Sequence, residues 1–120
     1  METQAIPGKV TVEPEVLETI ARFTALNVPG VVRIVETDVD RLLGLTGKSV
    51  VVQVTEGKVS ADLHIIAGPD ISLLRLGRAV QYEVTRAIQS MIGMPVDAVN
   101  VHIEDVVYPQ AEDLPETQDN

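Results

Sequence analysis

One segment late in the chain constrains the fold more than any other feature. Residues Val99 to Tyr108 read V-N-V-H-I-E-D-V-V-Y, and apolar residues alternate there with Asn100, His102 and Glu104. Neighbouring side chains of a strand point to opposite faces of a sheet. The alternation therefore predicts a strand, from about Val96 to Tyr108, with one apolar face and one open polar face.

The preceding residues predict a long amphipathic helix from Ile71 to Ile92, ended by Gly93. Its apolar stripe is spaced at helical intervals. The members of that stripe are Leu73, Gly77, Val80, Val84, Ala87, Ile88 and Met91. We expect Asp70 to cap the helix, and we expect Gly77 to allow another backbone to approach the stripe closely.

Shorter patterns predict the remaining elements. Pro14 suits the first position of a helix that Pro29-Gly30 stops. Glu56-Gly57 predicts a hairpin turn between two strands. The predicted strands are Lys9–Val12, Val31–Val35, Val50–Thr55 and Lys58–Ile66. The order β-α-β-β-β-α-β predicts an α+β fold, a two-layer sandwich with two helices on one face of a mainly antiparallel or mixed sheet.

Composition limits the possible functions. The 120 residues suit one domain, with an expected flexible lead over 1–8, a folded domain over 9–109 and a disordered acidic tail over 110–120. The chain has no cysteine, so thiolate metal sites and thiol nucleophiles are excluded. A net charge of −9 opposes nucleic-acid binding. Without a signal-peptide pattern at Met1-Glu2-Thr3-Gln4 or an apolar run of membrane-span length, we expect a cytoplasmic protein with no direct membrane insertion.

The order of four segments resembles the alkaline shock protein family over roughly Lys9 to Tyr108. These segments are V-E-P-E-V at the first helix, V-P-G-V at the turn after it, the long helix, and V-N-V-H in the last strand. The resemblance implies a small bacterial protein of the cell-envelope stress response. It also implies self-association and recruitment to the inner face of the membrane by a small membrane-anchoring partner. The linker Val35 to Lys48 departs from the glycine-rich pattern of many relatives.

The open face of the predicted sheet carries His64, Asn100, His102 and Glu104. If the two histidine strands pair, both imidazoles come close to Asp62 and Glu104, where they can bind a metal or titrate near neutral pH. The alternative is a set of solvated sheet-face residues, which we favour. Gly47-Lys48-Ser49 is an incomplete phosphate-binding loop, because Leu42 stands where the pattern needs glycine.

A second candidate surface lies opposite the stripe of the long helix. Helical spacing places Arg75, Arg78, Tyr82, Arg86 and Gln89 in one narrow arc, which we call the α2 arc. Arg and Tyr are favoured at interface centres. The alternative is an ordinary solvated helix face. The sequence favours a non-enzymatic adaptor or scaffold without cofactor, with a small RNA-binding module or a small-ligand-binding regulatory domain as alternatives.

Overall fold

The computed structural model describes residues 6–35 and 49–108. The two helices are α1 (Pro14–Leu26) and α2 (Leu73–Ile92). The four strands are β1 (Val31–Ile34), β2 (Val50–Thr55), β3 (Lys58–Ala67) and β4 (Val96–Val106). Both helices pack on one face of a single sheet, so the predicted α+β two-layer class is confirmed.

The sheet is mixed, with β3 at its centre. β4 runs parallel to β3 along one edge. β2 and β1 lie in line along the other edge, both antiparallel to β3. At their junction the backbone of His64 accepts from Val35 N and donates to Ser49 O, at 3.1 and 2.9 Å. β1 and β2 thus pair with successive parts of the same edge of β3. Residues 36–48, which join them, lie outside the described residues, as do the predicted tail and the first five residues of the predicted lead.

The core is aliphatic and lies between the helices and the sheet. On β3, buried side chains alternate at Val59, Ala61, Leu63 and Ile65, all fully covered by the helix layer. α1 contributes Leu17, Ile20, Ala21 and Ala25, and α2 contributes Leu76, Val80, Val84 and Ile88. This alternation leaves the intervening residues of β3 on the open face, as the sequence pattern predicts.

Two predicted chain turns are confirmed, the hairpin turn between β2 and β3 and the end of α2. The hairpin between β2 and β3 turns at Glu56-Gly57, where φ is +52° and +76°. Both residues are left-handed, which is the geometry of a tight hairpin turn. Gly93 ends α2 with φ +80°, as a C-terminal glycine commonly does.

Three predictions about local structure are wrong. Lys9–Val12 forms no strand, and residues 6–13 are all exposed. The residue that caps α2 is Ser72, whose hydroxyl accepts from Arg75 N at 3.2 Å. Asp70 has φ +60° instead. A Cβ added at Gly77 would meet no described atom within 4 Å, so no backbone among the described residues approaches it closely.

The predicted stripe of α2 is right in its middle and wrong at its ends. Val80, Val84 and Ile88 are fully buried. Leu73 and Met91, however, are exposed, the latter by 68%. At the two ends, Leu76 and Ile92, which the predicted stripe does not include, pack with the core.

Candidate functional site

The parallel pairing of β3 with β4 brings the two histidines together on the open face. His64 and His102 are direct partners in the strand register. Their rings stack with centroids 4.4 Å apart and planes 10° from parallel. The close approach that was conditional on strand pairing is therefore present in the fold.

Each imidazole is paired with a carboxylate from the opposite strand. His64 Nδ1 of β3 lies 2.5 Å from Glu104 Oε2 of β4. His102 Nε2 of β4 lies 3.2 Å from Asp62 Oδ1 of β3. We call these four residues the histidine clasp. The two pairs cross the strand junction in opposite directions and join the strands through side chains as well as backbone.

The two halves of the histidine clasp differ in their exposure to solvent. The side chains of His64 and Glu104 are only 15% and 18% exposed. Those of His102 and Asp62 are 47% and 42% exposed. A hydrogen bond shielded from water contributes more than a solvated ion pair, and its loss leaves a polar group without water to replace the partner. The Glu104–His64 pair is therefore the structurally important half.

The geometry of the clasp does not favour a metal. The described residues contain no group of three or more His, Asp or Glu side chains arranged to hold an ion. In each pair a ring nitrogen contacts a carboxylate oxygen directly. Asn100, the fourth open-face residue predicted from the sequence, is exposed and lies beside Asp62 in the register. The clasp as built is a polar link between strands.

All five residues of the α2 arc are exposed and lie on the side of α2 opposite its buried residues. Tyr82, at the centre, is 62% exposed. Arg78 donates to Gln81 Oε1 at 3.0 Å, and Arg86 lies 3.8 Å from Glu83. The arc therefore presents an aromatic ring and three guanidinium groups to solvent. Its role as an interface stays a prediction.

Sequence reasoning missed a third feature, an apolar groove between α2 and β4. It has a volume of about 300 Å³. We call it the α2–β4 groove, and it is lined by Leu73, Leu74, Gly77, Arg78, Gln81, Val101 and Ile103. Gln81 Nε2 donates to Val99 O at 3.0 Å at one side of it. The groove depends on how far α2 lies from the edge of β4. Neither the helical spacing of α2 nor the alternation of β4 contains that distance.

Two bacterial proteins are similar in sequence to most of this chain. The chain is 26% identical over 106 residues to YqhY of Bacillus subtilis strain 168, an alignment that covers 84% of this chain and 78% of that protein. It is 29% identical over 110 residues to Spy1535 of Streptococcus pyogenes serotype M6, covering 89% and 84%. Both relatives are uncharacterized bacterial proteins.

Solved structures show a similar arrangement of elements at low sequence identity. Two variants of the MamM CTD superpose with a TM-score of 0.50. Their identities are 16% and 15%, and each match covers 78% of this chain and 98% or 99% of that domain. At this identity the likeness concerns the fold alone.

Two further findings concern the helices and the family of the chain. Among residues 6–35 and 49–108, neither helix is long and apolar enough to span a bilayer. A family model described as having a cell envelope-related function matches residues 2–108. The chain therefore belongs to the alkaline shock protein family, a family of cell envelope-related function.

Proposed function

We propose that this protein is a non-enzymatic, self-associating adaptor of the envelope stress response, recruited to the cytoplasmic face of the membrane by a membrane-embedded protein. The observation that carries the proposal is the α2 arc. It exposes Arg75, Arg78 and Arg86, which are three of only nine basic residues in a chain of net charge −9. A cationic, aromatic surface on an acidic body is suited to a specific protein partner.

The composition of the α2 arc fits an interface more closely than a solvated helix face. Tyrosine and arginine dominate the residues that contribute most to binding at protein interfaces. Tyr82 lies between Arg78 and Arg86 at spacings of four residues, so the three side chains project from one side of the helix. None of the arc residues belongs to the aliphatic core, so substitutions in the arc should leave the fold intact.

The charge of the protein favours recruitment through a protein over direct binding to lipid. The cytoplasmic leaflet carries anionic lipids that attract clusters of basic residues. A body of net charge −9 is repelled by such a surface. A membrane-embedded partner that contacts the α2 arc removes the need for direct lipid contact.

The histidine clasp supports a structural interpretation over an enzymatic one. Its imidazoles are engaged with carboxylates on an open sheet face, and the clasp lies on the opposite side of the sheet from both helices. Catalytic acid–base pairs act within reach of a bound substrate, in sites that exclude water. On the open face, the pair formed by His102 and Asp62 is 47% and 42% exposed to solvent.

The direct experiment is recovery of partners from native membranes with the tagged full chain. We expect the parent to retain a small integral-membrane protein after gentle detergent extraction. The variant Tyr82→Ala/Arg86→Ala should lose it while unfolding at the same temperature, because both side chains lie outside the core. Truncation of an interface anchor weakens binding by about 2 kcal/mol or more.

A matched control removes one aromatic ring and one cation elsewhere. Phe23→Ala/Lys58→Ala changes exposed residues of α1 and of the hairpin. It should retain the partner as the parent does. Equal recovery by the α2 arc variant would show that the arc is solvated surface, and recovery of RNA in place of a membrane protein would overturn the proposed function.

A further inference from the structure

The outer edge of β4 is unpaired in the part of the chain that the structure describes. β4 runs for 11 residues and pairs with β3 on one side only. Gln81 reaches the backbone at Val99 O, close to the beginning of the strand. From Val101 to Val106 no described element pairs with the outer edge. Such an edge is a template for another strand.

A groove separates α2 from that edge. The α2–β4 groove lies at this position, with Val101 and Ile103 as part of its apolar lining. A Cβ at Gly77 would meet nothing within 4 Å, so this part of the helix has room for a side chain from outside. The groove and the open position at Gly77 therefore leave apolar space beside the β4 edge.

The same chain carries an unpaired segment with the pattern of a strand. Val10 and Val12 alternate with Lys9 and Thr11, between Pro7 and Pro14. All four residues are exposed, and Val10 is 94% exposed. We call Lys9–Val12 the N-terminal segment. Its alternation matches the sheet, because Val10 and Val12 can face the helix layer while Lys9 and Thr11 join the polar open face.

The lengths and charges of segment and groove agree. Four residues of strand span about 13 Å. The helical stretch from Leu73 to Gln81 rises about 12 Å along the groove. On the open face, Lys9 would add a cation to a surface that carries Asp62 and Glu104. The complementarity is thus apolar under the helix and electrostatic on the other side.

The N-terminal segment cannot reach this edge within its own chain. Only Glu13 separates it from α1, which begins at Pro14. α1 packs against β1 and β2, whereas α2 packs against β4. α2 therefore lies between α1 and the outer edge of β4. Packed helix axes are about 8–10 Å apart, and one extended residue spans only about 3.5 Å.

We propose that the N-terminal segment of one copy adds to the β4 edge of a second copy, as a fifth strand beneath α2. This inference rests on the self-association within the proposed function and names the surfaces that perform it. Because donor and acceptor are different surfaces, the contact closes into a dimer when it is reciprocal and extends into longer chains when it is not. In both the dimer and the longer chain, the N-terminal segment of another copy covers the β4 edge.

The absence of native cysteine allows a direct test of this contact with the full chain. Two single-cysteine proteins, Thr11→Cys and Asn100→Cys, are mixed and treated with a short thiol cross-linker. Both positions are exposed and belong to the open face in the proposed arrangement. We expect a heterologous dimer band from the mixture and little product from either protein alone. An Asn100→Cys band formed alone would show pairing of two β4 edges and overturn the proposal.

Two further variants of the Thr11→Cys and Asn100→Cys proteins test the two surfaces separately. Val12→Pro in the donor removes a backbone donor, and Gly77→Leu in the acceptor fills the groove. Each should reduce the cross-linked band about tenfold or more, which corresponds to about 1.4 kcal/mol. Val12→Ile and Gly77→Ala are the matched controls and should retain it. An unchanged band with Val12→Pro and Gly77→Leu would overturn the proposal.

The inference and the proposed function fail in different ways. Tyr82→Ala/Arg86→Ala should keep the cross-link and lose the membrane protein. If Thr11→Cys and Asn100→Cys without further substitutions give no cross-link but the membrane protein is still captured, strand addition is overturned. The proposed adaptor function is then unaffected. Normal cross-linking with no membrane partner recovered would support strand addition and contradict the adaptor function.

Discussion

The two halves of the histidine clasp give a quantitative test of how side chains join β3 and β4. Glu104→Ala leaves His64, only 15% exposed, without its carboxylate. Removing one partner of a shielded hydrogen bond destabilises by about 1–3 kcal/mol. Asp62→Ala removes the partner of His102, which is 47% exposed, and an exposed pair of this kind is worth only about 0–1 kcal/mol. We therefore expect Glu104→Ala to be the more destabilising substitution.

The measurement is urea unfolding followed by circular dichroism at pH 7. For a domain of this size, 1 kcal/mol corresponds to about 4–8 °C in melting temperature, so thermal unfolding gives an independent reading. Combining His64→Ala with Glu104→Ala, and His102→Ala with Asp62→Ala, completes a double-mutant cycle for each pair and isolates its coupling. The coupling of His64 with Glu104 should exceed the coupling of His102 with Asp62.

Comparable losses from the two substitutions would refute this reasoning, since the exposure difference would then have no energetic consequence. A larger loss for Asp62→Ala would refute it more strongly. Small losses from both substitutions would mean that the clasp is a solvated surface feature and that backbone pairing alone joins the two strands.

Three other predictions concern local structure. Ser72→Ala should destabilise the fold by about 1 kcal/mol in thermal or urea unfolding because the α2 cap is lost, whereas Asp70→Gly should not, since Asp70 has φ +60°. Gly77→Ala should stabilise by up to about 1 kcal/mol through helix propensity, because its Cβ meets no atom within 4 Å, and a destabilised variant would contradict that open geometry. A chain ending at Pro109 should keep its melting temperature within a few degrees, and a large loss would show that residues 110–120 pack.

Where the sequence pattern and the packing agree, the elements were predictable. β4 alternates apolar and polar residues because only one of its faces is covered by helices. The hairpin at Glu56-Gly57 and the end of α2 at Gly93 depend on residues that accept positive φ. Each of these patterns lies within a short stretch of sequence, and the packing of the fold favours the same local structure.

The errors have tertiary causes. The N-terminal segment has the alternation of a strand, but strand formation needs pairing with a neighbouring edge, and the segment pairs with none of the described strands. Gly77 lies within the apolar spacing of α2, yet the helix is placed so that this position borders the α2–β4 groove. Asp70 is a good capping residue by type, but the chain adopts left-handed backbone there and Ser72 takes the role.

The candidate site was predictable in its parts and not in its assembly. Alternation placed His64 and His102 on polar strand faces. Their stacking depends on the parallel pairing of β3 with β4, which brings together strands separated by the whole of α2. The α2 arc needed only helical spacing. The α2–β4 groove needed the lateral position of a helix over a sheet edge, a distance that no single-chain pattern encodes.

Co-sedimentation with native membranes tests the central claim most directly. The parent protein should pellet with untreated membranes and should stay in solution with vesicles of the extracted anionic lipids or with protease-stripped membranes. Tyr82→Ala/Arg86→Ala, shown to be folded by thermal unfolding, should stay in solution in every case. Pelleting of the parent with lipid vesicles alone, or of the folded variant to the same extent as the parent, would contradict recruitment by a membrane-embedded protein through the α2 arc.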